Sequence, residues 1–327
     1  MFYKPICDQR RRVICKLSYL LEREREREIE RERMEGGIRR GGEKRDSFHV
    51  IHKVPVGDSP YVRAKHLQLV DKDLDASIVW FWKAINNGDR VDSALKDMAL
   101  VMKQQNRPEE AIEAIKSFRH LCSKQAQESL DNVLIDLYKK CGMIEEQIAL
   151  LKKKLKLIFT GEAFNGKTTK TARSHGKKFQ VSITQETSRV LGNLGWAYMQ
   201  QGKYRASEAV YLKAQMIDAD ANKACNLSLC LIKQGRFEEA RNVLMDVLSG
   251  RLPVTSTDTK IIRRAAELLQ ETELQPQPCN QSTGKNMEEE VIERISILLN
   301  EWASLESIFD HSTIFEEISH QSDGIAC

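Results

Sequence analysis

Between Asp58 and Pro253 the apolar positions recur in a fixed local order that returns about every 34 residues. A small residue is followed four positions later by a large apolar one, and three after that by a small or apolar one. The copies are Ser77-x3-Phe81-x2-Ala84, Ala111-x3-Ile115-x2-Phe118, Ser207-x3-Tyr211-x2-Ala214 and Ala240-x3-Leu244-x2-Val247. Spacings of four and three put all three side chains of a copy on one helix face. Five residues before three of the small positions stands a turn former, Asn106, Gly202 or Gly235, and Gly142 holds that place ahead of the larger Gln147. The pattern predicts helix–turn–helix pairs laid end to end over 58–91, 92–125, 128–161, 188–221 and 222–254.

This period and this arrangement of small and large positions are those of the tetratricopeptide repeat (TPR). One helix pair cannot bury its own apolar face, so about five pairs must stack into an all-α solenoid whose groove, lined by first helices, holds another protein. The expectation is a non-enzymatic adaptor. Beyond the repeats, Thr259–Thr272 carries Ile262, Ala265, Ala266 and Leu269 on one expected face, which predicts a capping helix within 258–275. Pro276 and Pro278 stop it. In the tail, 276–327, Val291, Ile295, Leu298, Trp302, Leu305 and Phe309 are spaced 4-3-4-3-4 and predict an amphipathic helix over 287–310. Self-association through 291–309 is one expectation, and occupation of the chain's own groove is another.

The opposite end is of another kind. Residues 1–46 read as a disordered charged segment, with Glu and Arg alternating over Glu22–Arg33 and Gly36, Gly37, Gly41 and Gly42 after them. An alternating GA tract in a messenger encodes such a run, so Met34 is the expected start. Residues 47–57 form an extended lead-in, with Val54 held out of the helical region by Pro55.

Composition narrows the class. Apolar residues make up 41% and charged residues 30%, ordinary for a helical protein, and seven prolines suit helices better than short strands. The eight cysteines are scattered without a CxxC pair, which points to a reducing compartment and to nucleus or cytoplasm. Cys225-x4-Cys230 reads as packing and groove surface. His49-x2-His52 has no third ligand nearby, so no metal is expected. No stretch approaches the ~20 apolar residues of a membrane span.

The net charge of +4 hides a local excess. Between 162 and 187 lie Lys167, Lys170, Arg173, Lys177 and Lys178 against Glu162 and Glu186 alone, which predicts a flexible basic loop inserted between the third and fourth repeats. Only Phe164 and Phe179 could stack on bases, so a protein partner is expected there rather than nucleic acid. Gly161-x4-Gly166-Lys167-Thr168 matches the phosphate-binding P-loop formally, but that loop needs a strand before it and a helix after it. Leu150–Phe159 has helical spacing, so no nucleotide or other cofactor is expected.

First-helix positions that face a TPR groove give Ser93, Lys96, Leu100, Lys103 and Gln104 in the second repeat. The third repeat gives Ser129, Asn132, Asp136, Lys139 and Lys140. The fourth gives Arg189, Gly192, Trp196, Met199 and Gln200, and the fifth contributes Lys233. This surface is mostly basic with an apolar spot at Trp196 and Met199, which suits an acidic or amphipathic segment. Leu100 stands where the carboxylate clamp of chaperone-binding repeats has asparagine, which disfavours a chaperone terminus.

Long strings of the chain resemble one plant family. "SFHVIHK", "GDSPYVRAKHLQLVDKD", "FWKAINNGDRVDSALKDMA", "NGKTTKTARSHGKKFQV" and "CNLSLCLIKQGRFEEAR" are similar to the TPR proteins of the pollenless/male-sterility and sulfur deficiency-induced group, over about 46–275. The pollenless branch implies control of cell division at meiotic exit and male fertility, through cell-cycle ubiquitin-ligase subunits. The sulfur branch implies nuclear regulation of sulfur metabolism through transcription factors. "RRAAELLQE" and "IFEEIS" near a terminal Cys look more like the first branch and the length from Met34 is nearer the second; the expectation is the first, an adaptor regulating cell division, with the sulfur regulator as the alternative. Neither branch implies catalytic residues.

Overall fold

The computed structural model describes residues 55–174, 177–252 and 259–274. The charged segment 1–46, most of the lead-in, His49, His52 and the tail with its 287–310 helix lie outside the described residues. The described chain is an all-α repeat fold of eleven α-helices interrupted by one β-hairpin. It forms two compact units, one ending at Met143 and the other beginning at Ile144.

Helix α1 (Pro60–His66) starts where the Ser59 side chain accepts the Val62 N–H and Pro60 occupies the first turn, where a missing N–H costs nothing. A π-turn, Leu67–Asp71, leads to α2 (Leu74–Asn86), capped by Asp73. Then come α3 (Val91–Gln104), α4 (Pro108–Phe118) and α5 (Lys124–Cys141). The core of this unit contains Ile78, Phe81, Leu95, Met98, Met102, Ile112, Ile115, Leu130, Leu134 and Leu137, all essentially sealed from solvent. Ala84, Ala94, Ala99, Ala111 and Ala114 are buried among them, and their small side chains let helix backbones approach.

The second unit holds α6 (Ile144–Phe159), the strands β1 (Thr169–Ser174) and β2 (Lys177–Ser182), and α7 (Ile183–Gln200). It continues with α8 (Tyr204–Ile217), α9 (Ala221–Lys233), α10 (Phe237–Leu248) and α11 (Thr259–Leu274). Tyr211 is fully buried at its centre. A Cβ on Gly195 would lie 2.8 Å from the Tyr211 ring, so this helical glycine makes room for the aromatic side chain of α8. Ser207 Oγ, also buried, donates to Gly195 O at 2.7 Å across the same α7–α8 contact.

The turns inside the pairs share one construction. Asn106, Gly142, Gly202 and Gly235 have φ of 58°, 69°, 71° and 76°, a region where glycine carries no penalty and asparagine little. Each N–H bonds the carbonyl three residues back, and the following N–H reaches five back, as in Gly202 to Met199 with Lys203 to Tyr198. These bonds satisfy the last carbonyls of each first helix, and after Asn106, Gly202 and Gly235 the second helix packs back against the first.

Three observations differ from the expectations. The stretch expected as a flexible loop contains an antiparallel ladder from Thr169↔Ser182 to Ser174↔Lys177, with two residues between the strands. Thr169, Thr171 and Val181 favour extended backbone, and Thr171 and Gln180 hydrogen-bond across it. Helix α7 begins at Ile183, five residues before the expected repeat, because Ser182 and Gln185 form a reciprocal capping box. In α11 the buried side is Ala265, Leu268 and Thr272 with Ile261 and Leu269 partly buried, so Ala265 and Leu269 lie as expected, whereas Ile262 and Ala266 face solvent. The packed face thus keeps Ala265 and Leu269 and takes in Ile261 and Leu268 instead of Ile262 and Ala266, and Arg264 fixes it by donating to Asn222 and Asn226 of α9.

Candidate partner-binding surfaces

In the first unit, α3 and α5 bring the expected residues of two repeats side by side. Lys96 Nζ donates to Ser129 Oγ at 2.8 Å, Lys103 pairs with Asp136, and Lys140 Nζ reaches Lys103 O at 3.3 Å. These lysines cross-link neighbouring first helices, and Lys103 is neutralised by its partner. Leu100 is 40% exposed between them, and Lys139 is exposed while Asn132 is half-buried. Toward the helix N-termini, Ser93, Lys96, Ser123, Gln125 and Ser129 line an open cavity of about 230 Å³. Its rim is fixed by Asp92, whose carboxylate accepts the Ser123 N–H at 2.9 Å and its hydroxyl at 2.7 Å.

In the second unit the expected residues divide by role. Gln200 and Lys233 are exposed and Trp196 is half-buried. Met199 packs against the core around Tyr211. Cys225 and Cys230 belong wholly to that core and contribute no groove surface. Burial pushes both thiols up, Cys230 to about 11, so neither supplies a thiolate. Gly192 lies beside the stem of Lys223, which is buried and donates to Ser188 Oγ at 2.6 Å and Asp218 O at 2.9 Å.

Arg189 and Lys170 meet on an acid that the sequence alone placed in a loop. Glu186, in the first turn of α7, is only 3% exposed. Arg189 grips it with Nη2 at 2.8 Å from Oε1 and Nε at 2.9 Å from Oε2, a bidentate arrangement. Lys154 of α6 stands 3.4 Å and Lys170 of β1 3.2 Å from Oε1. Burial by itself would raise the Glu186 carboxyl, but the Arg189 hydrogen bonds and the three cationic charges prevail and hold it at about 2. Burial lowers Lys154, because the one carboxylate it shares with two other cations offsets only part of its desolvation.

That cluster anchors the hairpin. Lys170 also lies 4.3 Å above the buried Phe164 ring, and the Ile183 N–H donates to Thr168 O at 3.0 Å, closing the base. Of the other loop cations, Lys167 and Lys178 are exposed, and the register pairs Arg173 with Lys178 and Ser174 with Lys177. Phe179 is 47% exposed opposite Ala172. The missed signal was Ser182-x2-Gln185, which starts α7 early and places Glu186 three residues before Arg189.

The segment resembling a P-loop has the opposite surroundings. It follows α6 rather than a strand and leads into β1 rather than a helix. The Gly161, Glu162 and Lys167 amides are bonded to Ile158, Leu157 and Phe164 carbonyls, so they do not form a cradle. Among the described residues no cluster of three or more His, Cys, Asp or Glu could hold a metal, and no helix is long and apolar enough to cross a membrane.

Comparison with known proteins agrees with this architecture. The tetratricopeptide repeat family model matches residues 188–220, the pair α7–α8. Protein SULFUR DEFICIENCY-INDUCED 1 of Arabidopsis thaliana is 61% identical over 281 residues, covering 86% of this chain and 92% of that protein. SULFUR DEFICIENCY-INDUCED 2 of the same plant is 59% identical over 300 residues, covering 88% and 98%. Protein POLLENLESS 3-LIKE 2, also from Arabidopsis, is 67% identical over 202 residues, covering 62% of this chain and 47% of that protein. The chain belongs to the family of tetratricopeptide-repeat proteins that includes the SULFUR DEFICIENCY-INDUCED and POLLENLESS 3 proteins.

Proposed function

We propose that this protein is a non-enzymatic adaptor in the response to sulfur deficiency, acting in the nucleus through transcription factors. The observation that carries the reading is coverage: the match extends over 92% and 98% of the two sulfur-deficiency relatives. The basic hairpin and the exposed positions of α7 and α9 form the contact surface, and the partner offers an acidic or amphipathic segment. Exposed Lys167 and Lys178 supply charge, and Phe179 supplies an apolar anchor.

A second reading, control of cell division at meiotic exit through ubiquitin-ligase subunits, is favoured by the 67% identity to POLLENLESS 3-LIKE 2. Complementation separates the two. The chain is expressed in Arabidopsis lacking both SULFUR DEFICIENCY-INDUCED proteins, and in plants lacking POLLENLESS 3. Restoration of the transcript response to sulfur starvation in the first line, without rescue of pollen in the second, is the expected result. Pollen rescue without a sulfur effect overturns the first reading in favour of the second.

A further inference from the structure

The two basic surfaces that the sequence offers are not equally available. On the α3–α5 surface, Lys96 and Lys140 bond neighbouring side-chain or backbone oxygens and Lys103 has Asp136. Among the described side chains of the hairpin, Lys170 is directed to the core acid, whereas Lys167 and Lys178 stand in solvent. Residues 167–182 hold five cations and no acid. The arm is fixed at its base by Glu186 and carries a half-exposed aromatic ring opposite an alanine too small to cover it.

The chain itself contains a segment of matching chemistry. Residues 287–310 include seven acids and one cation, Arg294, together with the apolar stripe that begins at Val291 and ends at Phe309. Helix α11, in the same unit as the hairpin, ends at Leu274. The twelve residues 275–286 span at most ~40 Å when extended. For any site of the same unit within that reach, such a linker raises the effective concentration of its cargo to the order of millimolar, enough to populate a weak contact.

We propose that the hairpin edge at Lys178 and Phe179 is the docking site for the chain's own acidic segment 287–310. An outside partner then has to displace that segment. This rests on the hairpin being the partner-binding arm, but it is tested by the segment's own behaviour, so its failure is separable from failure to rescue the sulfur response. Apolar residues of the stripe cover Phe179, and the acids face the hairpin cations. The contact is therefore weakened by salt.

Hydrogen exchange on the full chain tests this, at low salt and at two protein concentrations tenfold apart. Amides of 291–309 are expected to exchange about tenfold slower in the unaltered protein than in Phe179→Ser or Lys178→Glu. Protection in α7–α10 should be unchanged, which shows that the variants fold. Adding Glu301→Lys and Glu306→Lys to Lys178→Glu should restore the slow exchange. Exchange of 291–309 at the unprotected rate in the unaltered chain overturns the proposal. Protection that survives both hairpin substitutions overturns it as well, because the segment then docks elsewhere. Protection lost on dilution also overturns it and assigns the contact to a second copy.

Discussion

Two regions rich in lysine, the α3–α5 surface and the hairpin root, handle charge in opposite ways. On α3 and α5, Lys96, Lys103 and Lys140 each meet an oxygen at the surface, and the Lys103–Asp136 pair keeps both partners wet, with side chains 33% and 54% exposed. At the hairpin root one acid, 4% exposed, holds three cations together. Water screens the first arrangement, so it contributes little to stability. In the second, the acid cannot be removed without leaving Lys154 charged and buried. Charge density along a sequence therefore does not separate structural charge from charge available to a partner. Burial does.

The most severe way to break this contrast is Glu186→Gln. It should cost about 3–5 kcal/mol in urea unfolding, as expected when one partner is removed from a buried ionic cluster. A loss under about 1 kcal/mol would mean that the root is wetter than described. The same variant sharpens the contrast through pH. The Glu186 carboxyl is held at about 2, below its ordinary 4.5, so its stabilising contribution is complete above the ordinary value and is lost as pH falls toward 2. The gap between the unaltered protein and Glu186→Gln should be widest near neutrality and close steadily below about pH 4.5. Unfolding midpoints across that range measure it, and a gap independent of pH would show that the effect is steric.

Asp136→Asn should change stability by no more than ~1 kcal/mol, since exposed pairs rarely contribute more. Smallest of all is Lys178→Ala, expected within ~0.5 kcal/mol of the unaltered protein because the side chain is exposed. The same change should nonetheless weaken binding of an acidic amphipathic peptide in titration calorimetry, with the difference shrinking in high salt. Equal binding with and without Lys178 would remove the hairpin from the partner surface.

Much of the helical scaffold was legible because each turn and each small-to-large spacing repeats. Gly195, Gly202, Ser207 and Tyr211 occupy linked roles in one pair, so the pattern is read many times over. The hairpin was not legible for the opposite reason. Its strands carry Thr, Lys, Gln and Ser with almost no apolar alternation, and the carboxylate that holds them comes from a different element. The face of α11 was read only in part, at Ala265 and Leu269, because Ile261-Ile262, Ala265-Ala266 and Leu268-Leu269 are apolar doublets. Periodicity cannot choose within a doublet; packing against α9 and α10 does. Of the candidate site residues, the sequence singled out Lys170 and Arg189 as cations. That both turn inward to one acid depends on where α7 begins.

The closed base of the hairpin bears on how such a protein can change. Because Ile183 bonds Thr168 and Thr169 pairs with Ser182, the chain leaves and re-enters the helical layer at nearly the same place. Beyond the next pair, Lys170 with Val181, whose lysine Glu186 holds, the strands can vary without disturbing that root. Adding two residues to each strand would extend the arm by about 7 Å and keep every side chain on its present face. Adding one to each would exchange the faces of the new tip. The arm can thus lengthen, shorten or be exchanged as a cassette between lineages while the repeats stay the same, and a change of partner needs no change of scaffold.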